Sequence, residues 1–339
     1  MTDARPIRIA FLVSGIAGLV YEVLWSRYLG LFVGHGAYAQ ILVLAVYLGG
    51  MAVGSLAVSD VSRRLRRPLR WYAGAEVALG VFGLAFHPLF AFATDLSYDV
   101  LFPAIGSGSW VGSVRWAVAG ILILPQAIVL GTTFPLMAAG LVRADEAHPG
   151  GRVAEAYLLN TLGGAAGVLL AGFVLIGAFG LPGTSVAAAV LNLVAAGLVW
   201  LGARGPAETA SESPEVEAER SEVEPESAQA GATVPAGAAL SAVLLTVAFG
   251  TALASFAYEV GWIRMLSLLL GSATHAFELM LSAFILGMAL GAGAIRRRSD
   301  ATADPVRLLG GIQVAMGVTA LLSLPVYLAS FDVMAGLIR

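Results

Sequence analysis

One short pattern of side chains able to bind charge occurs twice in this chain. Tyr21-Glu22-Val23-Leu24-Trp25-Ser26-Arg27 returns as Tyr258-Glu259-Val260-Gly261-Trp262-Ile263-Arg264, with Tyr, Glu, Trp and Arg at the same spacing. Both copies sit late in long apolar runs, where ionised groups are costly and are either paired or functional. Two chemistries fit. In the first, Glu22 and Glu259 are ligands for a cationic substrate, and Tyr21, Trp25, Tyr258 and Trp262 supply aromatic faces. Each cation–π contact would contribute about 0.5–2 kcal/mol. In the second, the charges are a structural bracket. Glu22 and Arg27 lie about 140° apart around a helix, so they are poorly placed to pair with each other. Pairing between copies, Glu22 with Arg264 and Glu259 with Arg27, would lock the two together. The two Arg residues weigh against a bound cation unless they are neutralised.

Other polar residues also fall within apolar runs. Glu76, Gln126, Asn160 and Glu278 form a candidate secondary polar cavity. Of these, Gln126 and Asn160, with Thr132 and Thr161, fit a polar cavity between spans four and five or interhelical hydrogen bonds worth about 0.6 kcal/mol each on average, and the second reading is preferred. His275 precedes Glu278 by one helical turn, which reads as an interfacial or pore-lining pair; no metal site is assigned. No Ser-His-Asp arrangement, Cys nucleophile or phosphate-cradling loop occurs. No catalytic residue and no cofactor are therefore assigned, and catalysis by this chain alone is not expected.

The elements that carry these residues are helices in a membrane. Of the 339 residues 58% are hydrophobic and only 12% charged, against about 25% charged in soluble domains. There is no Cys, and every basic residue is Arg. That excludes disulfides, thiolate metal sites and Lys-based Schiff-base or P-loop chemistry. The Arg clusters are loop-sized and flank the spans, so no nucleic-acid partner is expected; the partner is lipid. The N-terminal apolar run is too long for a cleavable signal.

A spanning helix needs about 20 apolar residues. That rule predicts an all-α, polytopic bundle of about nine spans. They cover residues 7–33, 37–60, 69–93, 112–142, 153–178, 181–203, 236–265, 274–295 and 305–330. Pro125 and Pro135 predict kinks in the fourth. The small residues at 163–167 read as a helix contact. Residues 204–234, rich in Glu, Ser, Pro and Ala, read as a disordered acidic linker. It divides a first half, 1–203, from a second, 235–339. Arg residues cluster before the first span and in the loops after the second, fourth, sixth and eighth. By that asymmetry the N-terminus is cytoplasmic and the C-terminus outside.

A shift of 237 residues extends the repeat well past the charged pattern. It carries Gly34 to Gly271, Gly50 to Gly287, Met51 to Met288, Gly54 to Gly291, Gly80 to Gly317, Pro88 to Pro325 and Asp95 to Asp332. Spans one to three and seven to nine are thus expected to be one unit in one orientation. Parallel six-span halves are the plan of major facilitator transporters; here the second half is expected to be incomplete, with three spans.

The chain resembles the bacterial membrane proteins that fuse a major-facilitator-like domain to a spermidine synthase domain. The resemblance is carried by Ser14-Gly15 leading into Tyr21-Glu22-Val23-x-Trp25-x-Arg27, by Gly50-Met51-Ala52-Val53-Gly54-Ser55, and by Gly131-Thr132-Thr133-Phe134-Pro135-Leu136. Tyr157-x-x-Asn160-Thr161-x-Gly163-x-x-x-Gly167 and Asn192 add to it. The family's soluble catalytic domain has no counterpart here. The resemblance implies a location in the bacterial inner membrane and a transporter-like module handling a polyamine or other small organic cation between the repeats. Two alternatives stand beside it. One is a non-catalytic anchor or scaffold for a separate spermidine-synthase-like aminopropyltransferase. The other is one piece of a split fused protein, completed by a complementary membrane chain.

Overall fold

Backbone amides and carbonyls that have no water to bond must satisfy one another within the chain, and apolar runs do so as helices. The computed structural model describes residues 4–34, 36–106, 110–144, 149–203, 236–271, 273–296, 302 and 304–338, and these contain helices and no strand. The helices are α1 (Ala4–Val33), α2 (Gly36–Arg64), α3 (Pro68–Leu96), α4 (Phe102–Ile105), α5 (Trp110–Ala144), α6 (Pro149–Leu170), α7 (Ile176–Gly202), α8 (Ala236–Leu270), α9 (Ala273–Arg296) and α10 (Pro305–Ile338). The expected acidic linker lies almost wholly outside the described residues.

Among the described residues, eight helical stretches are long and apolar enough to cross a membrane, where nine segments were expected. The difference arises at Gly180. Segments 153–178 and 181–203 both fall within Pro149–Gly202, a 54-residue stretch. At 1.5 Å per residue a straight helix of that length would measure about 80 Å. The stretch is not straight. Gly180 takes φ 65° and ψ −176°, with Pro182 just beyond it. Near the start of the stretch Glu155 is salt-bridged to Arg8, and at its end Gly202 abuts Ile7. Both ends therefore lie beside the first turns of α1, and the chain doubles back at Gly180. Gly34, Gly106 and Gly271, which follow α1, α4 and α8, also have positive φ, the left-handed conformation that lets a helix end sharply at glycine.

Two π-helical turns were not expected from the sequence. Ser97–Leu101 joins α3 to α4, just ahead of Pro103, which has no N–H to continue regular helical bonding. Ala171–Leu175 joins α6 to α7. Pro125 and Pro135 both lie inside the single helix α5.

The core is built around α1. It packs along α2, α6 and α7, while α5 lies on α2 and α3, and α9 bridges α6 and α8. Small residues make the seams close. A Cβ on Gly163 or Gly167 would collide with the carbonyl oxygen of Leu12 or Ile16, so α6 lies backbone to backbone on α1. Gly54 and Gly131 bring α2 and α5 together in the same way. The two stretches related by the 237-residue shift are not packed alike. The apolar window of α1 is 67% buried, those of α8 and α10 0%. Gly287 and Gly291, the partners of Gly50 and Gly54 under the 237-residue shift, have no atom within 4 Å of a Cβ position.

Candidate functional site

Polar side chains meet α1 at separate levels along its length. At its N-terminal end Glu155 of α6 accepts three guanidinium groups, from Arg8 at 2.9 Å, Arg152 at 3.2 Å and Arg296 of α9 at 3.3 Å. Higher up, Ser14 Oγ donates to Glu76 Oε1 at 2.6 Å and Asn192 Nδ2 donates to Glu76 Oε2 at 2.7 Å. That carboxyl, fully buried, ties α1, α3 and α7 into one knot. Near the other end, Arg27 Nη2 donates to Glu278 Oε1 at 2.5 Å, while His275 Nδ1 lies 3.1 Å from Glu278 Oε2. Glu278 is also fully buried. The π-turn of Ala171–Leu175 shapes its surroundings: Gly172 abuts the carboxyl group, and Phe173 stacks on the His275 ring at 5.1 Å.

Between these levels lies the repeated motif. Glu22 is 2% and Glu259 5% exposed, and the two, with Tyr47 of α2, are close enough to act electrostatically on one another. The two copies of the motif thus place their acids in the protein interior, within electrostatic reach of each other. They do not pair these acids with their two bases. Neither Glu22–Arg264 nor Glu259–Arg27 forms an ion pair among the described residues. Arg27 is held by Glu278 and Arg264 is exposed. Glu259 Oε1 has no hydrogen-bond partner among the described residues. The expected bracket is therefore corrected: the lock between the units is Arg27–Glu278. Symmetry hid it, because under the 237-residue shift Glu278 falls on Ile41.

The aromatic half of the motif also behaves differently in its two copies. Trp25 is fully buried, with Tyr21 stacked on it at 6.0 Å, Tyr47 edge-on at 5.9 Å and Phe86 tilted at 6.3 Å. Tyr21 further donates its hydroxyl to the Leu79 carbonyl at 3.3 Å. Those rings face other rings rather than a ligand. In the second copy Tyr258 and Trp262 stack at 5.5 Å and are half-buried. Trp262 borders a cleft of about 770 Å³ lined also by Phe284, Ser323 and Tyr327. Their shift partners in the first unit are Tyr47, Phe86 and Phe90, so the cleft stands where the first unit is filled by aromatic packing.

Glu76, Gln126, Asn160 and Glu278 do not share one cavity. Ser14, which holds Glu76, and Arg27, which holds Glu278, are about 20 Å apart along α1 at 1.5 Å per residue. Asn160 offers its backbone carbonyl to the seam with Gly15. Gln126, 2% exposed, lies in the central region of α5, and neither of its side-chain polar atoms is hydrogen-bonded among the described residues. No group of three metal-binding side chains occurs among the described residues.

The helices define a class: an all-helical protein compatible with multiple membrane passes. The chain is 28% identical over 190 residues to a polyamine aminopropyltransferase of Corynebacterium efficiens, a match covering 54% of this chain and 33% of that protein. It thus spans about a third of the length of this curated relative. No family model and no solved structure matches.

Proposed function

We propose that the chain is a transporter-like membrane module that binds a small organic cation, a polyamine in the first instance, between its two repeat units. The observation that carries this reading is the burial of both Glu22 and Glu259, one from each copy of the motif, with no guanidinium paired to either among the described residues. Two carboxylates taken out of water without counter-charge are unstable unless something neutralises them, and a bound cation does so. The objection that Arg27 and Arg264 would repel such a ligand weakens, since Arg27 is neutralised by Glu278 and Arg264 is turned outward. The name of the relative supports a polyamine as the cation. The reversal at Gly180 supports nine passes, and with the 237-residue repeat it favours a major-facilitator-like plan in the inner membrane with a cytoplasmic N-terminus.

Uptake of labelled spermidine into proteoliposomes tests the reading. Uptake is expected above that of empty vesicles and is expected to fall at least tenfold in Glu22→Gln or Glu259→Gln, the scale set by losing a charge-assisted hydrogen bond. Equal uptake by empty vesicles removes the idea.

A second reading is favoured by the relative being an enzyme two-thirds of whose length lies outside the match. On that reading the chain anchors or scaffolds an aminopropyltransferase, or is one piece of a split fused protein. A synthase-like subunit would then co-purify with the chain, and Glu22→Gln would lower abundance without changing any selectivity for cations.

A further inference from the structure

Gln126 is a buried amide whose two side-chain polar atoms have no hydrogen-bond partner among the described residues. Leaving both of its polar atoms unbonded costs free energy on the scale of lost hydrogen bonds, so its position is informative. Gln126 and Leu130, four residues apart, share one face of α5. Leu130 packs on α1 at Gly18, its methyl groups 3.5 and 3.7 Å from a Cβ position there. The two helices run antiparallel, since Arg115 of α5 donates to the Val33 carbonyl at the far end of α1. One turn further along the same contact, Gln126 comes level with Glu22. The amide therefore lies on the α5 face that meets α1 at the level of Glu22.

We propose that Gln126 is a third ligand-binding residue of this site, and that the site selects cations carrying N–H bonds, primary or secondary ammonium groups, over quaternary ammonium ions. The inference rests on the cation reading given above. Quaternary ammonium ions have no hydrogen to donate and are recognised by aromatic faces. Here the faces of Trp25 are covered by Tyr21, Tyr47 and Phe86, and Trp262 is stacked on Tyr258 with Phe284 edge-on. What the site offers instead are acceptors: two carboxylates and the amide oxygen of Gln126. A primary ammonium has three donors to match them.

Calorimetric titration of the purified full chain with putrescine and with its bis(trimethylammonium) counterpart tests this. The wild type is expected to prefer putrescine by about tenfold or more, the scale of one charge-assisted hydrogen bond. Gln126→Leu should lower putrescine affinity about tenfold and leave the bis-quaternary ion unaffected. Gln126→Glu, which keeps an acceptor oxygen, should hold the preference and serves if the Leu variant does not fold. Equal affinity of the wild type for both ligands overturns the proposal, as does a Gln126→Leu variant that keeps the full preference. If Glu22→Gln abolishes binding while Gln126→Leu changes nothing, the assignment of Gln126 alone falls. If Glu22→Gln leaves both affinities intact, the cation reading itself falls.

Discussion

At the residue scale, buried charge is what constrains this protein. Glu278 has no contact with solvent and depends on Arg27, which reaches it from the other repeat unit at 2.5 Å. Removing one member of a buried ion pair leaves the other uncompensated. Arg27→Met is therefore expected to destabilise the protein by about 3–5 kcal/mol. The double variant Arg27→Met with Glu278→Leu should recover much of that loss, because no charge then remains to be desolvated. Thermal unfolding in detergent measures both, and a double variant no better than the single would show that the pair is not where the energy lies. Glu76 answers to the same physics with neutral donors. Asn192→Leu removes the donor to Glu76 Oε2 while Ser14 still donates to Oε1, and is expected to cost about 1–3 kcal/mol. The cost of placing Glu22, Glu259, Glu76 and Glu278 in apolar runs is legible in the sequence. Their partners are not, since Ser14 with Glu76 and Arg27 with Glu278 are far apart along the chain.

At the scale of elements, the helices are held by seams of small residues and re-aimed by irregular turns. The run around Gly163 reads from the sequence as a contact, and in the structure α1 occupies it. Gly163→Leu would drive a side chain into the backbone of α1 at Leu12, and overpacking of this kind costs about 1–3 kcal/mol or more. Gly287→Leu is the matched control, with open space about its Cβ position. The yield of monodisperse protein should drop for the first and hold for the second; equal behaviour would mean that the α1–α6 seam is not tight. The π-turn at Ala171–Leu175 has no such signature. It contains no proline, and it matters through what it presents, Gly172 to Glu278 and Phe173 to His275. No local pattern in α6 announces residues one hundred positions away.

At the scale of the whole molecule, the repeat seen in sequence is only partly a repeat in packing. The first unit is wrapped by α5, α6 and α7. The second rests on α6 through α9, leaving α8 and α10 peripheral. The order of passes can be tested because the chain contains no Cys. Single cysteines at Ile105 and Ala178 should react with an impermeant maleimide from one side of a vesicle membrane, and those at Arg66 and Leu201 from the other. If Ala178→Cys and Leu201→Cys label from the same side, the chain does not cross between them and the reversal at Gly180 is not a turn between two passes.

Composition and the spacing of apolar residues were enough to determine that this is an all-helical chain with helices long and apolar enough to cross a membrane, because those are properties of each segment in its own surroundings. That Glu22 and Glu259 fall within electrostatic reach of each other could be expected from the recurrence of the motif. Which cation neutralises which acid could not, and neither could the place of Gln126. Those depend on helix register, on a glycine that folds one long helical stretch back on itself, and on asymmetric substitutions such as Glu278 against Ile41. Coulomb attraction and desolvation act between whichever groups are brought within a few ångströms, and only the tertiary structure decides which groups those are.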